Sequence, residues 1–263
     1  QTLMYLSVKN LSKTYLKRSG FLNTKTSAIH ALQNVSFELK KGKCLAIVGE
    51  SGSGKSTLAK IIMKLLEPDS GSIYISKQDV LNISKQKIKA YRKKIQMIFQ
   101  DPFSSLNPKF TIAQILAEPL EIHKTGTPNQ IKAKVSKFIK LVGLSDEDLK
   151  RYPHQFSGGQ RQRICIARAL IIEPDIIVCD EPVSALDVSI QAQILELLKE
   201  LQKKLNLTYL FITHDLRVVK YIADEMIVLQ NGNLVELGAV NQVFKSPKTK
   251  YTQTLINSIP GSI

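Results

Sequence analysis

The sequence has 263 residues, 43% of them hydrophobic, and carries a formal net charge of +15. That length and apolar content suit one large α/β domain with an inserted subdomain; they exclude general disorder, and no apolar run reaches the length of a membrane span. The basic balance admits nucleotides, nucleic acids and anionic membrane surfaces, and does not choose among them.

Leu3–Lys9 and Ile29–Leu39 alternate apolar and polar residues and predict strands, with Leu16–Ser27 as a polar loop between them. Tyr15 lies just before that loop, at the end of the first part of a strand-rich layer. Its ring can pack in the core or stack on a base. Lys40–Lys43 makes a turn into Cys44–Val48, a short apolar run that reads as a buried strand.

Gly49, Glu50, Ser51, Gly52, Ser53, Gly54, Lys55, Ser56 and Thr57 follow, and they fit the pattern G-x-x-x-x-G-K-[ST]. The glycines let the backbone curl so that successive N–H groups point at one anion. A helix beginning near Lys55 adds its positive end to the same point. Lys55 can reach the β- and γ-phosphates, and the Ser56 hydroxyl can ligate Mg²⁺. Strand before and apolar helix after, Thr57–Leu66, are the setting this loop requires.

Pro68–Gly71 is a turn and Ser72–Ile75 a strand, completing a small strand-rich layer. Lys85, Lys87, Lys89, Arg92, Lys93 and Lys94 predict a solvated helix face. Only Tyr91 interleaves with them, so no nucleic-acid partner is expected. Ile95–Phe99 reads as a buried strand ending at Gln100. From Thr111 to Leu149 helical periodicity dominates, broken at Pro119, Gly126–Pro128 and Gly143. With its connections, this predicts an inserted helical subdomain over about residues 101–160.

In Phe156–Gln160, Ser157 can cap a helix running to about Ile171, and Gly158 and Gly159 allow close backbone approach. Two readings stay open: a capped helix with a glycine turn, or a second anion site with Arg161 and Arg163 on the next turn. Ile176–Glu181 is an apolar strand ending in two carboxylates. Asp180 is placed to serve as the Mg²⁺ partner of a phosphate loop, and Glu181 to polarise an attacking water. Ser184–Asp187 turns into the amphipathic helix Ile190–Leu205. Leu207–Ile212 is another strand, and His214 lies just past its carboxyl end, where open α/β sheets bind ligands. Glu225–Gln230 and Leu234–Gly238 form a hairpin over Asn231-Gly232, and residues 239–263 form a helical tail. Cys44, Cys165 and Cys179 form no C-x-x-C pair, so they are expected to be buried thiols in a reducing compartment.

The order of these pieces resembles the nucleotide-binding subunits of ABC transporters over nearly the whole chain. The carrying stretches are Gly49–Thr57, Ile176–Glu181 and, between them, Ser157-Gly158-Gly159-Gln160. Phe156 stands where the family's signature usually has leucine. The resemblance implies a single domain over 1–263, with a P-loop NTPase core of the ABC ATPase type, an antiparallel β subdomain and an inserted α-helical subdomain. It implies ATP hydrolysis with Mg²⁺. Tyr15 would stack on adenine, Gln100 would sense the metal and the attacking water, and His214 would be the switch histidine. Ser157, Gly158, Gly159 and Gln160 would bind the γ-phosphate held by the other subunit of a head-to-tail dimer. Asp187 would lie in the loop crossing that interface.

Three further stretches, Gln100–Pro108, Tyr152–Arg163 and Ser184–Gln191, resemble the dipeptide, oligopeptide and nickel importer branch, as does the tail Lys250–Pro260. That implies a peripheral subunit on the cytoplasmic face of a bacterial inner membrane. Its partners would be a second ATPase (itself or a related chain), two permease subunits and, indirectly, an extracytoplasmic binding protein. Many peptide-importer members extend into a cysteine-containing segment. This sequence ends at Ile263 without one, so no iron–sulfur cluster is expected and nickel or a metal chelate stays open as substrate. A soluble ABC ATPase of translation or repair is disfavoured, because neither paired ATPase halves nor long coiled coils are present. Asp180 and Glu181 together argue against a purely regulatory nucleotide-binding module.

Overall fold

The computed structural model describes residues 4–19, 25–84 and 86–259. The chain forms two compact units, Gln1–Ser84 with Leu210–Ile263, and Lys85–Tyr209.

In the first unit, β1 (Met4–Ser19) and β2 (Lys25–Lys40) pair antiparallel. Leu6 and Val8 of β1, with Val35, Phe37 and Leu39 of β2, fall on one buried face, as the period of two requires. Both strands run further than their alternation predicts. The ladder continues through Leu16 opposite Ala28, inside the stretch expected to be a loop. Backbone pairing satisfies N–H and C=O groups whatever the side chains are, so a polar stretch can extend a ribbon. Leu3, Gly20 and the tail beyond Ile259 lie outside the described residues.

β3 (Cys44–Val48) is wholly buried and leads into α1 (Lys55–Ile62), which buries Leu58, Ala59, Ile61 and Ile62. β4 (Ser70–Ile75) and β5 (Gln78–Asp79) complete the antiparallel sheet in the order β2-β1-β4-β5.

In the second unit, α2 (Ile88–Lys94) buries Tyr91 and exposes Lys89, Arg92, Lys93 and Lys94, the solvated face expected; Lys85 lies outside the described residues. β6 (Ile95–Ile98) precedes four helices, α3 (Pro102–Ser105), α4 (Ile112–Ile122), α5 (Pro128–Leu141) and α6 (Gly158–Leu170). β7 (Ile176–Asp180) pairs parallel with β6, and α7 (Val188–Leu205) follows.

Pro119 was expected to break α4 and does not; it sits inside the helix. An interior proline costs about 3 kcal/mol. Burial of Ile112, Ile115, Leu116 and Leu120 contributes about 1.5–3 kcal/mol each, and the Thr111–Gln114 capping box secures the start. The burial outweighs the missing bond.

β8 (Thr208–Ile212) spans the boundary between the units. In the first unit it is followed by α8 (Leu216–Ile222) and then β9 (Glu225–Gln230), which pairs parallel with β3. β10 (Asn233–Ala239) closes a hairpin with β9. α9 (Val240–Lys245) and α10 (Lys250–Asn257) end the described chain. A core of Ala46, Val48, Leu216, Val219, Met226, Val228, Val240 and Val243 unites them, with Tyr251, Leu255 and Ile256 packed on it. Cys44, Cys165 and Cys179 are buried free thiols, and burial pushes the Cys165 thiol up. Among the described residues, no helix is long and apolar enough to cross a membrane.

Candidate functional site

The first unit holds the phosphate loop. It leaves the end of β3 and enters α1 at Gly54, whose carbonyl accepts from Leu58 N–H at 2.9 Å. Gly54 has φ +108°, and an added Cβ would lie 2.3 Å from the Ala31 carbonyl oxygen. Only glycine allows β2 to approach the loop this closely. Lys55 is 7% exposed. Its Nζ donates to the carbonyls of Gly49 (2.7 Å) and Glu50 (2.8 Å), so the ammonium is curled back into the loop. Ser53 N–H also donates to the Glu50 carbonyl, at 3.2 Å.

Two observations are compatible with an anion at this loop. The Ser53 hydroxyl is buried with no hydrogen-bond partner. Such a group is costly unless a ligand satisfies it. Gly52 has φ +81° with no heavy atom within 4 Å of an added Cβ, so open space borders the loop there. The first amides of a helix donate to no carbonyl within it, which suits a helix start to an anion such as phosphate. Ser51 and Ser56 are exposed and Thr57 is half-buried.

The same unit carries Tyr15 and His214. Tyr15 lies opposite Ile29 in the β1–β2 ladder, on the strand pair whose Ala31 touches Gly54, and its ring is exposed. Thr213 N–H donates to the Ile47 carbonyl at 3.2 Å, which sets the end of β8 beside the strand that feeds the loop. His214 follows and is exposed. Asp215 then caps α8, accepting from Arg217 N–H at 2.8 Å.

The second unit holds the carboxylates. β6 and β7 are in parallel register, Ile98 opposite Cys179, so Gln100 and Glu181 emerge from the same end of the pair. Gln100 Nε2 donates to Glu181 Oε2 at 3.4 Å, a long contact. Asp180 and Glu181 are half-buried. Glu181 has φ +47°, and its carbonyl accepts from Ser184 N–H and Oγ, which fixes the turn after β7. Positive φ in a non-glycine residue is uncommon and concentrates at functional sites.

Ser157 caps α6 as expected. Its Oγ accepts from Gln160 N–H at 3.3 Å, and the Gln160 side-chain oxygen accepts from Ser157 N–H at 3.0 Å. Ser157 is exposed and Gly158 half-buried, while Gly159 is buried against Ile190. Asp187 caps α7 by accepting from Ile190 N–H at 3.0 Å, so Ile190 brings the glycine pair and Asp187 together. Arg161 and Arg163 do not join an anion site here. Arg161 is buried, donates from Nε to the Pro153 carbonyl at 2.7 Å and lies over the Phe103 ring; Arg163 donates to the Val142 carbonyl at 2.8 Å. Both guanidiniums donate to backbone carbonyls within the helical layer, while Arg161 Nη1 stays buried without a hydrogen-bond partner, and periodicity could not reveal that.

A glycine-rich loop between a buried strand and a helix, with its lysine turned inward, together with a strand ending in Asp-Glu, defines a P-loop nucleotide hydrolase. The comparisons narrow the class. The family model for ABC transporters matches residues 32–184. The chain is 48% identical over 256 residues to the oligopeptide transport ATP-binding protein AppF of Bacillus subtilis, covering 97% of this chain and 78% of that protein. It is 47% identical to the dipeptide transport ATP-binding protein DppF of Escherichia coli, covering 97% and 76%. Among solved structures it is similar to an ATP-binding cassette captured as a dimer after hydrolysis with ADP and Pi. The TM-score there is 0.77, with 32% identity, 89% of this chain and 98% of that one. It is also similar to cbiO1 of Clostridium perfringens, part of an ABC transporter complex, with TM-score 0.79, 29% identity, and 93% and 92% coverage. The chain belongs to the ABC transporter family and is an ABC-type ATPase.

Proposed function

We propose that this chain powers import of di- and oligopeptides. The observation that carries the reading is its 48% identity, over 97% of its length, to an oligopeptide transport ATP-binding protein. The chain would sit peripherally on the cytoplasmic face of a bacterial inner membrane. It would pair head to tail with itself or a related ATPase, on two permease subunits served by an extracytoplasmic binding protein. No nucleic acid takes part.

In this reading water attacks the γ-phosphate in line, and catalysis is mostly positioning and charge stabilisation. Lys55 and the amides of Gly49–Thr57 neutralise the phosphates. Glu181 orients the water and takes its proton. Gln100 and His214 hold the water and the γ-phosphate, and Tyr15 stacks on the adenine. Ser56, Gln100 and Asp180 offer the hard oxygen ligands that suit Mg²⁺. Bound there, Mg²⁺ would supply neutralisation of the phosphate charge. Ser157, Gly158, Gly159 and Gln160 of one copy complete the site of the other, with Asp187 at the crossing. The exposed, capped Ser157 in a chain with one phosphate loop supports this pairing. Closure would reach the permeases through Gln100–Pro108.

The test is reconstitution in liposomes with a peptide-importer permease pair and its binding protein. Phosphate release should rise when a di- or oligopeptide is supplied. Stimulation by a nickel chelate and not by any peptide would overturn the substrate assignment.

A further inference from the structure

The phosphate loop has an anchor far away in the chain. Glu50 N–H donates to the Tyr251 hydroxyl of α10 at 3.1 Å. Glu50 is the node of the loop, because its carbonyl takes both Lys55 Nζ (2.8 Å) and Ser53 N–H (3.2 Å). Glu50, held at its N–H by Tyr251 and at its carbonyl by Lys55, links the tyrosine to the ammonium through one residue.

Tyr251 is itself held. The Glu236 carboxylate, 5% exposed on β10, accepts from the amides of Lys248 (2.9 Å) and Thr249 (3.3 Å) just before α10. Thr249 then caps that helix, accepting from Thr252 N–H at 3.1 Å. The inner face of α10 packs on the core that contains Val48, the residue before Gly49. At its far end, Leu255, Ser258 and Ile259 line the same small cleft as His214 and Asp215. One helix therefore touches the loop at its first turn and borders the histidine segment at its last.

We propose that Tyr251 is a positioning residue for ATP. Its hydroxyl fixes Glu50, and through Glu50 the inward set of Lys55, so the loop is preformed before nucleotide arrives. The inference rests on the reading of Gly49–Thr57 as the ATP loop. Preorganisation of groups that contact ground and transition states alike changes KM more than kcat.

The experiment uses the full chain with Tyr251→Phe, which removes one oxygen and keeps the ring on the core. ATP affinity should weaken and KM rise by about three- to tenfold, the worth of one hydrogen bond, with kcat kept within about twofold. Hydrogen exchange at the Glu50 amide should speed up by a similar factor, while Ala46–Val48 in β3 keep their rates. A role in docking the tail alone would lower the melting temperature and leave KM and the Glu50 amide unmoved. Unchanged KM and unchanged Glu50 exchange would overturn the proposal. If Tyr251→Phe folds poorly, the wild-type chain decides: a protected Glu50 amide supports the anchor, and an unprotected one refutes it. Lys55→Ala separates the two readings. If Lys55→Ala still binds ATP, the loop assignment itself fails. If it loses ATP while Tyr251→Phe is silent, only the anchor fails.

Discussion

Gly54→Ala tests the loop's construction most sharply when compared with Gly52→Ala. Both residues have positive φ, +108° and +81°, so both substitutions force an L-residue into an unfavourable region. That strain costs about 1–2 kcal/mol in each and largely cancels in the comparison. What differs is the space. The new Cβ at position 54 would lie 2.3 Å from the Ala31 carbonyl and 3.0 Å from Leu32 Cδ2, whereas nothing lies within 4 Å at position 52. A backbone oxygen on a paired strand cannot rotate away as a side chain can. Overpacking of this kind adds about 1–3 kcal/mol. Urea denaturation should therefore rank Gly54→Ala below Gly52→Ala by that margin. Relief of the clash displaces the loop amides that face the phosphates, and misplacement of about 1 Å in a reacting geometry costs on the order of a hundredfold in rate. Phosphate release should show Gly54→Ala slowed on that scale, and equilibrium dialysis should show its ATP affinity below that of Gly52→Ala. If the two variants unfold at the same urea concentration, β2 does not bear on the loop as described.

Two further outcomes follow from contacts elsewhere. Ser157→Ala removes the oxygen that accepts from Gln160 N–H, and should cost about 1 kcal/mol in urea denaturation, with Ser157→Gly restoring most of it; an alanine no worse than glycine would deny the cap. Asp148 accepts from Ser145 N–H at 3.0 Å and Ser145 Oγ at 3.1 Å, and pairs with Arg151 at 2.7 Å, which together hold its carboxyl below the usual range. Its folded pKa is depressed, so its stabilisation is full above the unfolded value, about pH 4, and is lost as pH falls through the folded value. Asp148→Asn should flatten that acid limb in a denaturation series, and an unaltered slope would contradict the assignment.

The phosphate loop was legible because its chemistry dictates residue types at fixed spacing: glycines for curling, lysine for charge, hydroxyl for metal. Asp180, Glu181 and His214 were legible as the ends of buried strands, and Ser157 and Asp187 as caps. At Pro119, and at residues 16–19 and 25–27 of the expected loop, burial and pairing outweigh local preference. Arg161 and Arg163 looked like anion ligands because charge is visible in a sequence and the carbonyl that consumes it is not. Tyr251 was invisible as part of the loop, because its partner, Glu50, lies 201 positions away. No periodicity spans that distance.

Glu181→Gln tests the hydrolytic assignment most directly. The exchange keeps the shape of the side chain, and its contact with Gln100, at 3.4 Å, is long. One preparation should be assayed for ATP binding and for phosphate release. Binding should persist within about twofold while release falls by about a hundred- to ten-thousandfold, the worth of a general base. Phosphate release at the wild-type rate would contradict the assignment of Glu181 as the residue that activates water.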